Sequence, residues 1–338
     1  MRNLMLVIIE KAILHILDFA GGTPVLSAQE LELEQGTREF LVKHVEKTIG
    51  SQDAKMGKFY ESSEFSSHLA AYQEGQASFA EFSQQVANAL YQPLSHAEDI
   101  ECADLFVCQI RVDDTPQLVL FKCTNNHGYV HQVNVAEDGS VVTEVMNSYG
   151  LLPNLSQRME EFAYINLDTK EVLIKAKRYS IDGNKVFVLP ELLLECAQSP
   201  SPNETIKEIS KAVKKVTEAY CQDQVEAAAA VKSYIAENLQ PDGQLDPQEV
   251  GMAVFKDNPS MQADYRQEME NSGFGEPVVV NQEATLKKMR KHRLSTDTGI
   301  ELVIPTEFFE NTEFVEFYKD DDGFMSITLK NIQNITNK

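Results

Sequence analysis

The stretch that decides the fold is Leu105-Phe-Val-Cys-Gln-Ile-Arg-Val112, followed after Asp113-Asp-Thr-Pro116 by Gln117-Leu-Val-Leu-Phe-Lys-Cys123. Both runs are rich in β-branched and aromatic residues, which favour an extended chain. The Asp-Asp-Thr-Pro segment between them has the composition of a turn. Because so short a connection joins only antiparallel strands, residues 105–123 predict a β-hairpin.

Further strands are predicted downstream of this hairpin. Strand-like runs occupy 129–135, 141–145, 163–167 and 172–177, and a short apolar strand is expected at 186–189. The turns that connect several of them are short and contain glycine, which favours antiparallel pairing. The middle of the chain is therefore predicted to form a mostly antiparallel sheet.

Helices are predicted on the N-terminal side of this sheet. Apolar residues recur every three or four positions from Thr37 onward and again over 78–91, which is the period of an α-helix. Residues 4–20 are apolar without clean alternation and predict either a buried strand or the start of a helix. The fold class is therefore α+β, a mostly antiparallel sheet with flanking helices.

The C-terminal part of the chain has a different pattern. The segment Ser199-Pro-Ser-Pro-Asn203 has the composition of a linker. The apolar seam over 206–234 predicts a pair of helices packed on a core, with a dimeric coiled coil as the alternative. A basic helix is expected over 283–293, followed by a small β-rich part. We therefore predict an N-terminal domain at 1–198, a linker at 199–204 and a C-terminal domain at 205–338.

The chain is acidic, with 30 Lys and Arg against 52 Asp and Glu among 338 residues and a formal charge of −22. Such a field repels phosphate, which excludes coating of DNA by the whole surface. No apolar run approaches the ~20 residues that cross a bilayer. The five cysteines are odd in number and widely spaced, which favours reduced thiols. We therefore expect a cytoplasmic protein without a membrane partner.

Motifs of catalysis and cofactor binding are missing from the sequence. It contains no glycine-rich phosphate loop, Gly-x-Ser-x-Gly elbow, His-Glu-x-x-His or Cys-x-x-Cys pattern, so we expect no cofactor. Cys123, His127 and His131 are metal-ligand types within nine residues. However, His127 lies in turn-like sequence and a fourth ligand is missing, so a hairpin tip is favoured over a metal site. His15 is expected to be a hydrogen-bonded histidine beside the core.

The sharpest departure from the acidic background is the segment Leu286-Lys-Lys-Met-Arg-Lys-His-Arg293. As a helix it would place Lys287, Arg290 and Lys291 on one face, which could offer cations to DNA phosphates. The alternative is a solvated face that pairs with the abundant acids. The candidate DNA-binding residues are the five cations of the segment: Lys287, Lys288, Arg290, Lys291 and Arg293.

A weaker group of cations follows the strand predicted at 172–177. Lys175, Lys177 and Arg178 are candidates for secondary DNA contacts, because strand alternation would put Lys175 and Lys177 on one face. The lysines over 207–215 are diluted by glutamates and are weaker still.

Several stretches in the chain match one known family in the same order. They are Ala12-Ile-Leu-His-Ile-Leu-Asp18, Phe40-Leu-Val-Lys-His44, Ala103-Asp104-Leu105, Phe162-Ala-Tyr-Ile-Asn166 and the tail from Thr285 to Lys330. Together they resemble the bacterial 37-kDa nucleoid-associated protein family (NdpA-like) over most of the chain. The resemblance implies a DNA-associated protein of the cytoplasm and nucleoid. It names no contact residues and no catalytic centre.

The first hypothesis is a non-enzymatic nucleoid-associated protein that binds double-stranded DNA weakly and electrostatically through local basic patches. Proteins of the nucleoid are further candidate partners, and the seam at 206–234 suggests a homodimer. The alternative is an acidic interaction protein, a DNA mimic or adaptor, that binds basic partners of DNA-handling machinery without touching DNA. A third hypothesis is an enzyme, which would need a pocket that gathers His15, His44 or the Cys123/His131 pair.

Overall fold

The computed structural model describes residues 5–222, 224–309 and 311–336. The chain divides between Ser199 and Pro200 into two compact units, called unit 1 and unit 2 in chain order. Unit 1 is built on a seven-stranded antiparallel sheet with helices, and unit 2 is mostly helical with small two-stranded sheets. This is the α+β class predicted from the sequence.

Unit 1 has helices alternating with strands before its central hairpin and six consecutive strands after it. Its elements are β1 (Val7–Leu17), α1 (Gln35–Thr48), β2 (Lys55–Phe59), α2 (Glu64–Gln73), α3 (Phe79–Leu94), β3 (Ala103–Val112), β4 (Thr115–Thr124), β5 (Asn126–Val135), β6 (Val141–Leu151), β7 (Glu161–Asn166), β8 (Glu171–Lys175), β9 (Tyr179–Ile181), β10 (Asn184–Val186), a π-helix (Val188–Leu193) and β11 (Cys196–Gln198).

The hairpin predicted at 105–123 is confirmed as β3 and β4, which pair in unbroken register from Ala103↔Thr124 to Val112↔Thr115. The seven strands of the main sheet lie in the order β1-β3-β4-β7-β8-β2-β11, and every neighbouring pair is antiparallel. The apolar N-terminal run, open between strand and helix in the sequence, is the edge strand β1. β2 was not predicted, and its Gly57 is required because a Cβ there would lie 2.8 Å from the carbonyl oxygen of Ala197.

Helices cover both faces of this sheet. Successive strand residues point to opposite faces, so Leu105 and Phe106 lie in different cores. Phe106 packs with Leu41 and Val45 of α1, and Leu105 lies in the core that contains Phe82 of α3. Both faces of the β3–β4 hairpin are therefore buried.

Two strand predictions in unit 1 need correction. β8 ends at Lys175, two residues before the predicted end at 177. The apolar run predicted as a strand at 186–189 is strand only at its first residue, and the chain then turns into the π-helix. Pro190 directly follows this run and has no backbone N–H for a sheet, whereas the helical turn buries Val188, Leu189 and Leu193.

The β5–β6 hairpin contains the strands predicted at 129–135 and 141–145 and extends beyond both. It pairs only within itself among the described strands, as a two-stranded sheet separate from the main one. Most of its residues are exposed on both faces. In chain order it is an insertion between β4 and β7, which pair directly in the main sheet. We call this hairpin the arm.

Unit 2 contains helices followed by strand pairs. Its elements are α4 (Pro202–Ala219), α5 (Gln224–Asn238), β12 (Gln244–Leu245), α6 (Pro247–Val254), α7 (Pro259–Ser272), β13 (Val278–Val279), α8 (Gln282–Met289), β14 (Lys291–Ser295), β15 (Glu301–Pro305), α9 (Thr306–Phe309), β16 (Val315–Lys319) and β17 (Met325–Leu329).

The predicted helix pair over 206–234 is confirmed as α4 and α5. Ser201 begins α4 as a capping box, because its hydroxyl accepts from the Glu204 N–H while the Glu204 carboxylate accepts from the Ser201 N–H. The segment predicted as a linker at 199–204 is therefore helical from Pro202. The apolar seam lies in the core of unit 2, where Ile209 and Val213 pack with Tyr265. This seam is not available to a dimeric coiled coil.

Candidate nucleic-acid interface

The basic segment bends from a helix into a strand. The Asn281 side chain begins α8 by accepting from the Ala284 N–H at 2.9 Å. The helix ends at Met289, whose carbonyl accepts from the Thr306 hydroxyl. The carbonyl of Arg290 accepts from the Thr306 N–H. The helix predicted to continue to 293 is therefore too long. Lys291–Ser295 instead pairs with the apolar strand Glu301–Pro305, whose backbone hydrogen bonds replace those of a further helical turn.

This bend changes where the predicted cations lie. Lys287 and Lys288 are in the last turn of α8, and Arg290 is the residue that ends it. Lys291 and Arg293 lie on β14, where alternation puts both side chains on the same face. The single helical face predicted for Lys287, Arg290 and Lys291 is therefore wrong. The cations follow the junction of a helix and a strand.

All five candidate side chains of this segment are exposed. Lys288 donates to the Asn203 side-chain oxygen at 2.8 Å. Within the part of the chain that the structure describes, Lys287, Arg290, Lys291 and Arg293 form no ion pair. The segment therefore presents unneutralised positive charge to solvent.

The lysines of α4 are arranged differently. Lys211 lies 3.0 Å from Glu208, and Lys214 lies 3.8 Å from Glu218 on the same helix. Lys215 lies 2.6 Å from Glu268 of α7. The expectation that acids dilute this group is confirmed.

The residue between the two strand cations does not add to the charge. His292 is buried on the opposite face of β14, and its ring stacks on Phe309 with centroids 3.8 Å apart. Burial, with a contribution from nearby Lys232, lowers the pKa of His292 to about 4. The imidazole is therefore neutral at physiological pH.

Other parts of unit 2 place further charges near the basic segment. Lys232 of α5 donates to the Lys291 carbonyl at 3.1 Å and adds a cation that no local sequence pattern could reveal. Arg290 lines a cavity of about 550 Å³ whose lining also includes Glu237 and Glu307. The two lysines of the last turn also lie at the negative end of the α8 dipole, where cations are favoured.

The secondary candidates on unit 1 are largely engaged within that unit. Lys175 lies 4.0 Å from Asp53, and the Lys177 ammonium lies 5.1 Å from the centre of the Tyr179 ring. The Arg178 guanidinium lies 4.8 Å from the centre of the Phe187 ring and is the most exposed of the three. Because β8 ends at Lys175, the predicted shared strand face of Lys175 and Lys177 is wrong.

A cavity of about 610 Å³ lies in unit 1, with Lys122, Cys123 and His127 among its lining residues. Burial raises the pKa of the Cys123 thiol to about 12, so this sulfur is protonated rather than nucleophilic. His15, His44 and His131 are not in its lining. The grouping that the enzyme hypothesis requires is therefore not formed at this cavity.

The two buried histidines of unit 1 have structural surroundings. His15 Nδ1 accepts from the Ser27 N–H at 3.1 Å, and its Nε2 lies 3.0 Å from the Ser83 hydroxyl, as expected for a histidine beside the core. His44 lies against the Phe40 ring, and burial lowers its pKa. Among the described residues, no three His, Cys, Asp or Glu side chains are grouped to hold a metal ion. None of the described helices is long and apolar enough to cross a membrane.

These features define a two-unit α+β protein whose second unit exposes a basic segment. A family model described as nucleoid-associated protein YejK matches residues 13–336, nearly the whole chain. The chain therefore belongs to this nucleoid-associated family, and the resemblance found in its sequence is confirmed. A comparison with curated proteins found no match.

Proposed function

We propose that this protein binds double-stranded DNA directly through the basic segment of unit 2, as a non-enzymatic component of the bacterial nucleoid in the cytoplasm. The observation that supports this proposal is the exposure of all five cations in a chain of net charge −22, four of them without an ion pair among the described residues. We assign their contacts to phosphates, because no Phe, Tyr or Trp lies between residues 287 and 293 to stack on bases.

The same electrostatics make the binding weak. Screening limits the reach of exposed charges to about 8 Å at physiological salt. The basic segment can therefore attract phosphates locally although the rest of the surface is acidic. The acidic field still opposes the approach of DNA. In addition, the phosphates would meet the C-terminal end of α8, whereas the favourable end of a helix for anions is its N-terminus. The affinity therefore depends on side-chain cations alone and falls steeply with salt.

Lys175, Lys177 and Arg178 are assigned a secondary role in this proposal. Their partners within unit 1 hold Lys175 and Lys177 away from full exposure, and Arg178 is the member best placed to reach a phosphate. The alternative, an acidic adaptor or DNA mimic that binds basic nucleoid proteins, calls for a basic segment that is buried or paired. The exposed cations favour direct DNA contact over that alternative.

The test is fluorescence anisotropy of a short labelled duplex titrated with protein at several salt concentrations. The variant Lys287→Ala/Arg290→Ala/Lys291→Ala/Arg293→Ala removes four exposed cations. We expect its affinity to fall at every salt concentration, and its slope of log affinity against log salt to shrink by about 3 to 4.

The matched control is Lys207→Ala/Lys211→Ala/Lys214→Ala/Lys215→Ala on α4, which changes the net charge equally. Three of its lysines are already paired with acids, so we expect a slope close to that of the original protein. Equal losses of DNA affinity in both variants would show that the effect comes from the change in net charge and not from the basic segment. Unchanged binding by the first variant, with an unchanged melting temperature, would refute the proposal.

A further inference from the structure

One face of the β5–β6 hairpin is apolar and exposed. Residues paired across the two strands share a face, and the pairs that include Tyr129, His131, Val133 and Val135 define what we call the valine–tyrosine face. Tyr149 belongs to it as well, since its hydroxyl accepts from Asn147 on this face and its ring packs against His127. Its six large apolar side chains are each 56–78% exposed: Tyr129, Val133, Val135, Val141, Val145 and Tyr149.

This face carries no Asp, Glu, Lys or Arg. The only charged residues between 126 and 151 are Glu137 and Asp138 at the turn and Glu144 on the opposite face. A surface without cations cannot hold DNA phosphates or anionic lipid headgroups. A surface without anions has equally little to attract a basic protein.

An uncovered apolar hairpin needs a partner surface. A two-stranded hairpin alone is marginally stable in water, and contiguous exposed apolar patches of several hundred Å² mark interaction sites. Two tyrosines and four valines at these exposures offer on the order of 800 Å², which is the area that a standard interface takes from each partner.

We propose that the valine–tyrosine face packs against the same face of a second copy of this chain. Two chains of net charge −22 repel each other over most of their surfaces, and an uncharged face is where that repulsion is least. A twofold contact also requires a patch that complements itself, and valines and tyrosines meet their own kind without unpaired charge.

The predicted dimer is a four-stranded, two-layer sandwich, with one hairpin from each copy and the layers about 10 Å apart. It does not depend on the proposed DNA binding, because the hairpin carries none of the cations that serve it. It also replaces the helical seam of unit 2, which is buried, as the surface for self-association.

Sedimentation velocity over a wide range of protein concentration tests this proposal. We expect a dimer that dissociates on dilution. Val133→Asp/Val145→Asp puts two carboxylates of each copy into the contact, where they would be desolvated and close together. We expect the dimer dissociation constant to rise at least ~100-fold.

The control is Val130→Asp/Val142→Asp, which makes the same changes at two exposed valines on the opposite face of the same hairpin. It should dimerise nearly as the original protein does. A second variant joins Asn126 to Leu151 through an Asn-Gly turn, and should be a monomer with the original melting temperature. A monomeric original protein, equal weakening by both double variants, or a dimer that survives removal of the arm would each overturn the proposal.

Discussion

The β3–β4 and β5–β6 hairpins follow each other in the chain and have strands of nearly equal length, yet the first is buried on both faces and the second is mostly exposed. The first lies in the centre of unit 1 and encloses Asp104 and Lys122, each 5% exposed. The second leaves valines and tyrosines in solvent. Strand propensity therefore decides that each hairpin forms, whereas the elements packed around it decide what it can bury.

The two buried ionisable residues of the first hairpin differ in their surroundings. The Lys122 ammonium lies 2.8 Å from the Glu161 carboxylate, and the Tyr179 hydroxyl donates to the same carboxylate. Asp104 has no such ion pair with any described residue, and burial raises its pKa to about 6. The apolar face of the second hairpin stays exposed to solvent within unit 1. In the proposed dimer, the same face of another molecule covers it.

The largest effect is expected from breaking the buried pair. Lys122→Met leaves the Glu161 carboxylate buried without its cation, and should lower the free energy of unfolding of unit 1 by about 3–5 kcal/mol. Urea denaturation followed by circular dichroism measures this loss. The double variant Lys122→Met/Glu161→Leu removes both charges and should be more stable than Lys122→Met alone. A double variant that is less stable than Lys122→Met would show that the Glu161 carboxylate stabilises unit 1 through Tyr179 even without the lysine.

An intermediate effect is expected when the same truncation is made in both hairpins. Val119→Ala on β4 removes fully buried methyl groups and should cost about 2–3 kcal/mol of unfolding free energy, because a cavity remains. Val133→Ala on β5 should cost under about 0.5 kcal/mol in the monomer, where the side chain is exposed. Thermal unfolding at low protein concentration separates the two. Similar costs would mean that unit 1 itself covers the arm.

The smallest effect is a pH dependence at Asp104. A carboxyl group whose pKa rises on folding holds a proton more tightly in the folded state, so its burial costs nothing at low pH and destabilises as pH rises from about 4 through 6. Asp104→Asn removes this penalty. Relative to the original protein, the variant should gain about 2 kcal/mol of unfolding free energy between pH 4 and pH 8. If the difference in unfolding free energy between the two proteins does not change with pH, the pKa of Asp104 is not raised by folding.

Much of the fold could be predicted because its signals are local. The β3–β4 hairpin and the helix capped by Ser78 each have their turn or cap residues in the adjacent sequence. β2 could not be predicted, because five residues around a glycine form a strand only where β8 and β11 supply the pairing. The order of strands in a sheet depends on such distant partners and leaves no trace in local composition.

The candidate site was predicted in its residues but not in its shape. Charge density alone identified the five cations, and the structure exposes all of them. Lysine and arginine are good helix formers, so local propensity extended α8 through Arg293. The pairing of His292 with Ile304 and the burial of its ring against Phe309 override that propensity and give a strand. Lys232 escaped prediction because it comes from another helix.

The β5–β6 arm leaves the main sheet at β4 and returns at β7, and these two strands are already direct neighbours. The 126–151 excursion therefore adds nothing to the connectivity that unit 1 needs. The entropy of closing a loop grows only logarithmically, by about 0.6 kcal/mol for each doubling of length. The length of the arm can therefore change during evolution at little cost to the stability of the sheet. Relatives with a different mode of self-association should differ first in the length and sequence of residues 126–151.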